Sequence, residues 1–509
     1  MSKNIKKVLC LTLAVAMTGS LFTACGKKDD KQEAATLGEM TKDEITLTYQ
    51  LWEDGPIAKA LVSEWNELYP NITINVSETT TAENNQNLTS FMGTNQMPDV
   101  FWVLGTPDFA IRNGMLQNMA FMWEADDDTK NVIGGINEFD LGYLGTEGKW
   151  TTPVKFFPTE AWLNMNYFTK RNKEMPSTDW TFEEMKQCIE DVTIDNTGSG
   201  WGLSEAITVI TWYPIASDEN CIGEFGWNGK EFDLTNWAEG MLIEKEWRDN
   251  GIKAPDNMSG LPGYEDGGDQ RFPQDEGLVA MRWDNWWCWE RYWDKDEMYT
   301  KQVYWVPYIL PHTEDNQGSD TYIATMDFGG IYSGTKYARE AYEVLKYFCW
   351  GAQGWEHKIT KRDDIIASVV GDEELASVSG LAPGPINNCP ITTDSTIWEM
   401  YEQKHPTSAA GGDTEGESKY QINRAPYFDA FFEKVKTSKW TCYGSGQIPG
   451  FDTWLTDNYR SATMYDGAAG VEDWVFLNGG DPYEKVDILT ESANQTNKEL
   501  LDTISAVLE

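Results

Sequence analysis

Histidine is scarce in this chain of 509 residues. It has three, His312, His357 and His405, and none lies near another or near a cysteine in the sequence. This spacing gives no metal-binding signature and no histidine-based catalytic centre. A phosphate-binding glycine loop is missing as well. We therefore expect neither a metal nor another cofactor.

Basic residues are few compared with acidic ones. Lysine and arginine number 40 against 82 aspartates and glutamates, which gives a net charge of −42. A surface this negative repels nucleic acid and anionic lipid. We expect no nucleic-acid partner, and a ligand that is neutral or cationic. With so many carboxylates, no one pair can be singled out as the acid and base of a glycoside hydrolase.

Closely spaced cysteine pairs are also lacking, which argues against a zinc site or a dithiol redox motif. The sequence predicts no structural disulfide among the six cysteines beyond the N-terminal region. They are Cys188, Cys221, Cys288, Cys349, Cys389 and Cys442.

Long apolar runs are limited to one, near the N-terminus. Three lysines precede an apolar stretch at residues 8–17, which is too short to span a membrane. Cys25 follows the small residue Ala24, and this arrangement resembles a bacterial lipoprotein signal. The resemblance implies a signal peptide at residues 1–24 and lipidation of Cys25. Residues 25–44 then read as a flexible tether, so the membrane is reached through the lipid alone.

An aromatic segment, GLVAMRWDNWWCWERYW, stands out at residues 277–293. Indole rings beside carboxylate and amide groups suit a ligand with apolar faces and a hydroxyl-rich edge, such as a sugar. For any single tryptophan, packing in the core is the better interpretation. For the cluster as a whole we favour a ligand-binding wall. Its predicted members are Trp283, Asp284, Trp286 and Trp287.

The start of the folded region has the pattern of an α/β protein. Residues 45–51 alternate apolar and polar side chains like a strand, and residues 56–68 have one apolar helical face. A second alternating strand covers residues 71–76. Strand, helix and strand at this spacing predict a parallel βαβ unit. The run at residues 97–104 predicts a strand that is covered on both faces.

Several short motifs along residues 45–365 follow one another in an order that is typical of one protein family. They are Leu68-Tyr69-Pro70, Pro98-Asp99-Val100, Gly148-Lys149-Trp150, Trp180–Glu184, Gly200-Trp201-Gly202, Gly277–Trp287 and Val306–Pro311. In this order the chain resembles the extracellular solute-binding proteins of bacterial ABC importers, the group that includes maltose-binding protein. The resemblance implies an α/β, two-lobed, periplasmic-binding-protein-like fold with an interlobe ligand cleft and hinge crossovers.

The lobe boundaries follow from the same resemblance. Lobe 1 is expected at residues 45–143 and 308–370, and lobe 2 at residues 144–307 and 371–509. Crossovers are expected near residues 141–147, near residues 304–308 and before residues 380–385.

Site residues are expected at strand ends from both lobes, where open α/β sheets bind ligands. The first lobe is expected to supply Trp52, Glu53, Asp54 and Trp102. The second is expected to supply Phe157, Glu160, Trp162 and Trp212, together with the four members of the aromatic segment.

Two functions of different classes remain. The first is a monomeric, lipid-anchored receptor on the extracytoplasmic face of the membrane, not an enzyme, which captures a carbohydrate and hands it to an ABC permease. An oligosaccharide is the expected ligand, and a peptide or other polar solute is the alternative. The second is a secreted or surface glycoside hydrolase acting on glycans.

Overall fold

The structure is a computed structural model of the chain. It describes residues 36–52, 55–103, 107–136, 148–194, 200–264, 267–288, 303–369, 386, 388–405, 408–411, 420–442, 448, 450–461, 464–465 and 467–508. The predicted signal peptide, Cys25, Glu53 and Asp54 lie outside these residues. So do the crossovers expected at residues 141–147 and before residues 380–385.

The strands of the described residues are β1 (Ile45–Trp52), β2 (Ile72–Thr79), β3 (Val100–Val103), β4 (Thr152–Asn164), β5 (Trp201–Glu205), β6 (Val279–Asn285), β7 (Trp305–Ile309), β8 (Thr321–Ile331), β9 (Ser408–Gly411), β10 (Tyr420–Asn423) and β11 (Lys439–Cys442). Nine of them form a mixed sheet in the order β2-β1-β3-β8-β4-β6-β5, with β11 beside β8 and β7 beside β4. The other two, β9 and β10, form a separate antiparallel pair.

The helices surround these strands. They are α1 (Gly55–Leu68), α2 (Asn84–Thr94), α3 (Asp108–Arg112), α4 (Ala120–Ala125), α5 (Met165–Lys170), α6 (Phe182–Val192), α7 (Val209–Ser217), α8 (Thr235–Asp249), α9 (Ala338–Cys349), α10 (Ala352–Val369), α11 (Ser395–Gln403), α12 (Ala425–Thr437), α13 (Phe451–Trp454), α14 (Val471–Phe476) and α15 (Val486–Leu508). None of the described helices is both long and apolar enough to cross a membrane.

The predicted βαβ unit is confirmed. Strands β1 and β2 are parallel and in register from Ile45 opposite Ile72 onward, and α1 connects them. Trp65 on the apolar face of α1 is fully buried and donates its indole N–H to the Ile72 carbonyl at 2.9 Å. The apolar periodicity therefore identified the face of this helix that packs against the sheet.

Two polar side chains, those of Asp99 and Thr181, fix the local course of the chain. Asp99 orients the chain at the edge of the sheet by accepting hydrogen bonds from the Thr48 backbone N–H (2.9 Å) and the Thr335 hydroxyl (2.6 Å). Thr181 begins α6 with a reciprocal capping box, in which its hydroxyl and the Glu184 carboxylate each accept the other residue's backbone N–H.

Strand β4 belongs to two parts of the sheet. Its first half, from Thr152 to Pro158, pairs with β8. Its second half, from Thr159 onward, pairs with β6 on one side and β7 on the other. Every residue of β4 is buried. We call the part around β1, β2, β3 and β8 the first sheet, and the part around β5, β6 and β7 the second sheet.

The end of the predicted tether is attached to the folded region. The Thr41 backbone N–H donates to the Glu340 carboxylate at 2.6 Å. The Asn71 side chain donates to the carbonyls of Thr41 and Asp43, both at 2.9 Å. The chain therefore already lies against the first sheet several residues before β1 begins.

Candidate functional site

The candidate site lies where β4 passes from the first sheet to the second. Phe157 is the penultimate residue of β4 paired with β8, and Glu160 is paired with Asp284 of β6 and Ile309 of β7. A strand shared in this way brings side chains from both parts of the sheet close together.

A series of ring contacts runs across this junction. Trp52 and Trp102 of the first sheet meet edge to face with ring centroids 4.9 Å apart. The Lys155 ammonium lies 5.4 Å from the Trp102 ring and 6.0 Å from the Phe157 ring, within the range of a cation–π contact. Phe157 in turn lies 6.4 Å from Trp287, just beyond β6. The series therefore connects β1 to the end of β6.

Trp287 differs from the other rings in its exposure. Its side chain is 51% exposed, whereas Trp52, Trp102 and Phe157 are all buried. Its indole N–H donates to Asp284 Oδ1 at 3.2 Å, so the ring is held by its edge. A tryptophan fixed through its N–H, with much of its surface open, offers a flat apolar face to a ligand.

Asp284 binds the polar groups next to Trp287. It is 1% exposed, and its carboxylate accepts hydrogen bonds from Arg282 Nε at 2.6 Å and from the Asn285 backbone N–H at 2.9 Å. With the bond from Trp287, at least three groups donate to the carboxylate. Arg282 provides the compensating positive charge for this buried group.

Glu160 is buried beside Asp284. Its Oε1 accepts the Trp162 indole N–H at 2.5 Å, while Oε2 has no hydrogen-bond partner within the described part of the chain. Burial raises the pKa of Glu160 well above its usual value, and the negative charge of Asp284 raises it further. Burial and the charge of Asp284 therefore both favour the protonated form of Glu160.

Trp162 and Trp286 belong to an aromatic cluster in the core. Their rings stack 5.6 Å apart, and Trp286 stacks on Phe431 of α12 at 5.2 Å. The Trp286 N–H donates to the Tyr401 hydroxyl of α11 at 2.8 Å. Both tryptophans have 0% exposure. Their contact with a ligand remains a prediction.

Trp283 lies on the opposite face of β6 from Asp284, because side chains alternate along a strand. It meets Trp247 of α8 edge to face at 6.1 Å and is fully buried. Trp212 is also fully buried, with its N–H bonded to the Pro311 carbonyl at 2.8 Å and its ring stacked on Tyr322. A ligand contact by Trp283 or Trp212 likewise remains a prediction.

Lys155 and Arg282 were missing from the predicted site set. Lys155 is 2% exposed and interrupts the apolar run of Pro153–Pro158, and a lysine within a buried strand is a signal that the sequence did contain. Arg282 occupies the second position before Asp284 on the same face of β6. Its role depends on the pairing with Asp284, which becomes visible only in three dimensions.

The histidines are used in local packing. His312 Nε2 donates to the Thr321 carbonyl at 3.0 Å, and burial lowers the pKa of His312 to about 4. The His357 ring is hydrogen bonded to the Tyr347 hydroxyl, and His405 donates a hydrogen bond to the Tyr401 carbonyl. No group of three or more histidine, cysteine or carboxylate side chains in the described ranges is arranged to hold a metal ion.

Comparisons with known proteins agree on one family. A model of the bacterial extracellular solute-binding proteins matches residues 50–348. A search of curated proteins found no match. Among solved structures, an ABC substrate-binding protein from Listeria monocytogenes in complex with cycloalternan is 14% identical with a TM-score of 0.52, over 92% of this chain and 99% of that one.

Two further structures support the same fold. A sugar transporter from Rhizobium etli, in an open conformation, is 13% identical with a TM-score of 0.59, over 88% of this chain and 99% of that one. A cyclic alpha-maltosyl-1,6-maltose binding protein from Arthrobacter globiformis is 15% identical with a TM-score of 0.54, over 90% and 99%. The predicted fold class is confirmed, and the chain belongs to the bacterial extracellular solute-binding protein family, with its two-lobed α/β architecture.

Proposed function

We propose that this protein is the lipid-anchored substrate-binding subunit of an ABC importer, which captures a carbohydrate, in the first place an oligosaccharide, and delivers it to the permease. The observation that carries the proposal is the half-exposed Trp287, held by Asp284 at the end of a series of ring contacts that begins at Trp52.

The chemistry of this position suits a pyranose ring. An indole face stacks on the apolar face of the ring, and carboxylate oxygens accept hydrogen bonds from its hydroxyl groups. The proposed site includes Glu53 and Asp54, which follow Trp52 directly. Trp162, Trp212, Trp283 and Trp286 remain proposed members of the site, and all four are fully buried. The relatives solved with cycloalternan and named for cyclic alpha-maltosyl-1,6-maltose are consistent with this ligand class.

Capture is proposed to occur by closure of the lobes. A ligand shifts an open–closed equilibrium only by the difference between its affinities for the two states. Contacts from both lobes exist together only after closure, so a ligand that uses them favours the closed form. The proposed lobes are residues 45–143 with 308–370 and residues 144–307 with 371–509. The change of partners along β4 supports a division in this part of the chain.

The proposed location is the extracytoplasmic face of the cell membrane. Residues 1–24 act as the signal peptide, Cys25 takes the lipid, and the monomeric receptor domain reaches the permease on its tether. Lipid and tether anchor the protein without a spanning helix.

A glycoside hydrolase is the less favoured function. Such enzymes need a pair of carboxyl groups that reach the glycosidic bond. Glu160 and Asp284 are the close pair at this site, but they are 0% and 1% exposed, and Asp284 is occupied by Arg282 and Trp287. This geometry favours a supporting role for both.

The test is a thermal-shift screen of the purified soluble domain against mono- to hexasaccharides with α-1,4 and β-1,4 linkages. A saccharide that binds the folded form alone raises the melting temperature, by an amount that grows with its concentration over Kd. The same samples are assayed for new reducing ends over several hours. We expect a shift without hydrolysis. No shift with any saccharide would contradict the proposed ligand class, and steady release of reducing ends would favour the hydrolase.

A further inference from the structure

A small cavity of about 160 Å³ lies at the carboxyl end of β5, outside the ring series described above. The polar side chains that line it are Ser204, Glu205, Lys253, Asp256, Gln274 and Arg282. Its volume is enough for several water molecules, and therefore for one small polar group of a ligand.

Gln274 is the observation that points to a ligand. Its side chain lines the cavity and the residue is only 4% exposed, yet its amide makes no hydrogen bond to the described part of the chain. Most polar groups of buried residues are hydrogen bonded within the protein, so an amide without such a partner faces the contents of the cavity. The donor and the acceptor of Gln274 are therefore both available to an occupant.

The occupant is expected to be uncharged, since the cations around the cavity are already paired. Lys253 contacts the buried carboxylates of Glu244 and Glu205, the latter at 3.4 Å. Arg282 is paired with Asp284 at 2.6 Å. An anionic ligand would compete with these pairs and would meet the carboxyl groups of Glu205 and Asp256, whereas a cationic one would meet Lys253 and Arg282.

Hydroxyl groups match the polar atoms that remain. The Ser204 hydroxyl accepts from Arg282 at 3.3 Å and keeps its own proton for donation. Gln274 both donates and accepts, as a sugar hydroxyl does. Phe272 contributes an apolar ring to the same lining. The combination suits a neutral polyhydroxy group.

The cavity is joined to Trp287 by two side chains. Ser204 is paired with Arg282 in the parallel ladder of β5 and β6, and Arg282 binds the same carboxylate that holds the Trp287 N–H. Arg282 and Asp284 are two residues apart and share one face of β6. We propose that the cavity is a second subsite, which binds a further sugar unit of a ligand whose first unit stacks on Trp287. This inference rests on the carbohydrate-binding function proposed above.

The experiment compares Gln274→Met with a matched control, Gln270→Met, which makes the same change at an exposed position. Binding of maltose-series, cello-series and chito-series saccharides of one to six units is measured by calorimetry. In the series that binds the wild type, Gln274→Met should weaken binding of the longer members about fivefold or more, as loss of buried hydrogen bonds does. The shortest binding member and the control should be unaffected.

A second variant distinguishes loss of the subsite from a folding defect in Gln274→Met. Asp256 is exposed, so Asp256→Ala leaves the packed strands intact and should weaken the longer members in the same direction. If both variants bind every chain length as the wild type does, the second subsite is overturned while the proposed function stands. If no saccharide binds the wild type, the proposed function fails and the subsite fails with it.

Discussion

Glu160 and Asp284 lie directly opposite each other on the antiparallel strands β4 and β6, with both carboxyl groups buried. Their surroundings differ. Arg282 forms an ion pair with Asp284, whereas burial and the neighbouring Asp284 raise the pKa of Glu160 well above its usual range. Two paired strand positions thus give their carboxyl groups unequal electrostatic environments.

This difference predicts a pH dependence of stability. In the unfolded chain Glu160 ionises near its ordinary pKa of about 4.5, whereas in the folded chain it keeps its proton to much higher pH. The unfolded state therefore binds fewer protons above pH 4.5, and stability falls as the pH rises through this window. We expect the melting temperature of Glu160→Gln to fall less between pH 5 and 8 than that of the wild type.

The matched control for this prediction is Glu67→Gln, which removes a carboxylate from an exposed position on α1. It should leave the slope of melting temperature against pH unchanged. Glu205, whose pKa burial raises to about 8, adds to the wild-type slope and remains in both variants. Equal slopes for Glu160→Gln and the wild type would contradict the raised pKa of Glu160.

Trp287→Ala should separate binding from stability. Its ring is 51% exposed, so its removal leaves no buried cavity, and the unliganded protein should melt close to the wild-type temperature. Loss of the stacking face should weaken saccharide binding by roughly tens of fold. Calorimetric titration and scanning calorimetry measure the two effects, with Phe121→Ala as a control at another exposed ring. Wild-type affinity in Trp287→Ala would remove this residue from the site.

Trp286→Ala should give the opposite result on unliganded stability. The ring is fully buried between Trp162 and Phe431, so truncation leaves a cavity within the aromatic cluster. Comparable substitutions cost about 3–5 kcal/mol of unfolding free energy. Denaturant unfolding of the unliganded protein measures the loss. A change below about 1 kcal/mol would show that the cluster does not pack as described.

Cys25→Ser tests the anchor independently of the binding site. Without the thiol there is no attachment point for the lipid, so the protein should leave the membrane fraction and appear in the soluble extracytoplasmic fraction. Its saccharide affinity should match that of the wild type, since the substitution lies in the predicted tether and changes none of the proposed site residues. Fractionation followed by immunoblotting gives the distribution. A variant that stays firmly membrane-bound would mean that another segment attaches it.

Local features were predictable from the sequence because their causes are local. The βαβ unit follows from the period of apolar residues, and the capping box at Thr181 follows from the residues of one turn. The partners of Asp99, Thr48 and Thr335, are distant in the sequence and could not be predicted in this way.

The exposure of each tryptophan in the aromatic segment was not predictable in the same way. Side chains alternate along a strand, so Trp283 lies on the face opposite Asp284. The residue at which β6 ends, however, cannot be located from the sequence. Trp286 is covered by Tyr401 and Phe431, which lie more than a hundred residues further along the chain. Trp286 and Trp287 are neighbours in the sequence but have opposite environments. The difference arises because helices cover Trp286, and no local sequence pattern predicts where those helices lie.

The change of partners along β4 has a mechanical consequence. The strand is hydrogen bonded to β8 up to Pro158 and to β6 and β7 from Thr159, so relative rotation of the two sheets must twist β4 at this point. Pro158 has no backbone N–H to offer the ladder, which makes this the segment where a twist breaks the fewest bonds. Phe157, next to it, contacts Trp287. In the proposed lobe closure, the twist of β4 and the Phe157 ring that contacts Trp287 are therefore one residue apart, so we expect rotation of the sheets to move this ring contact directly.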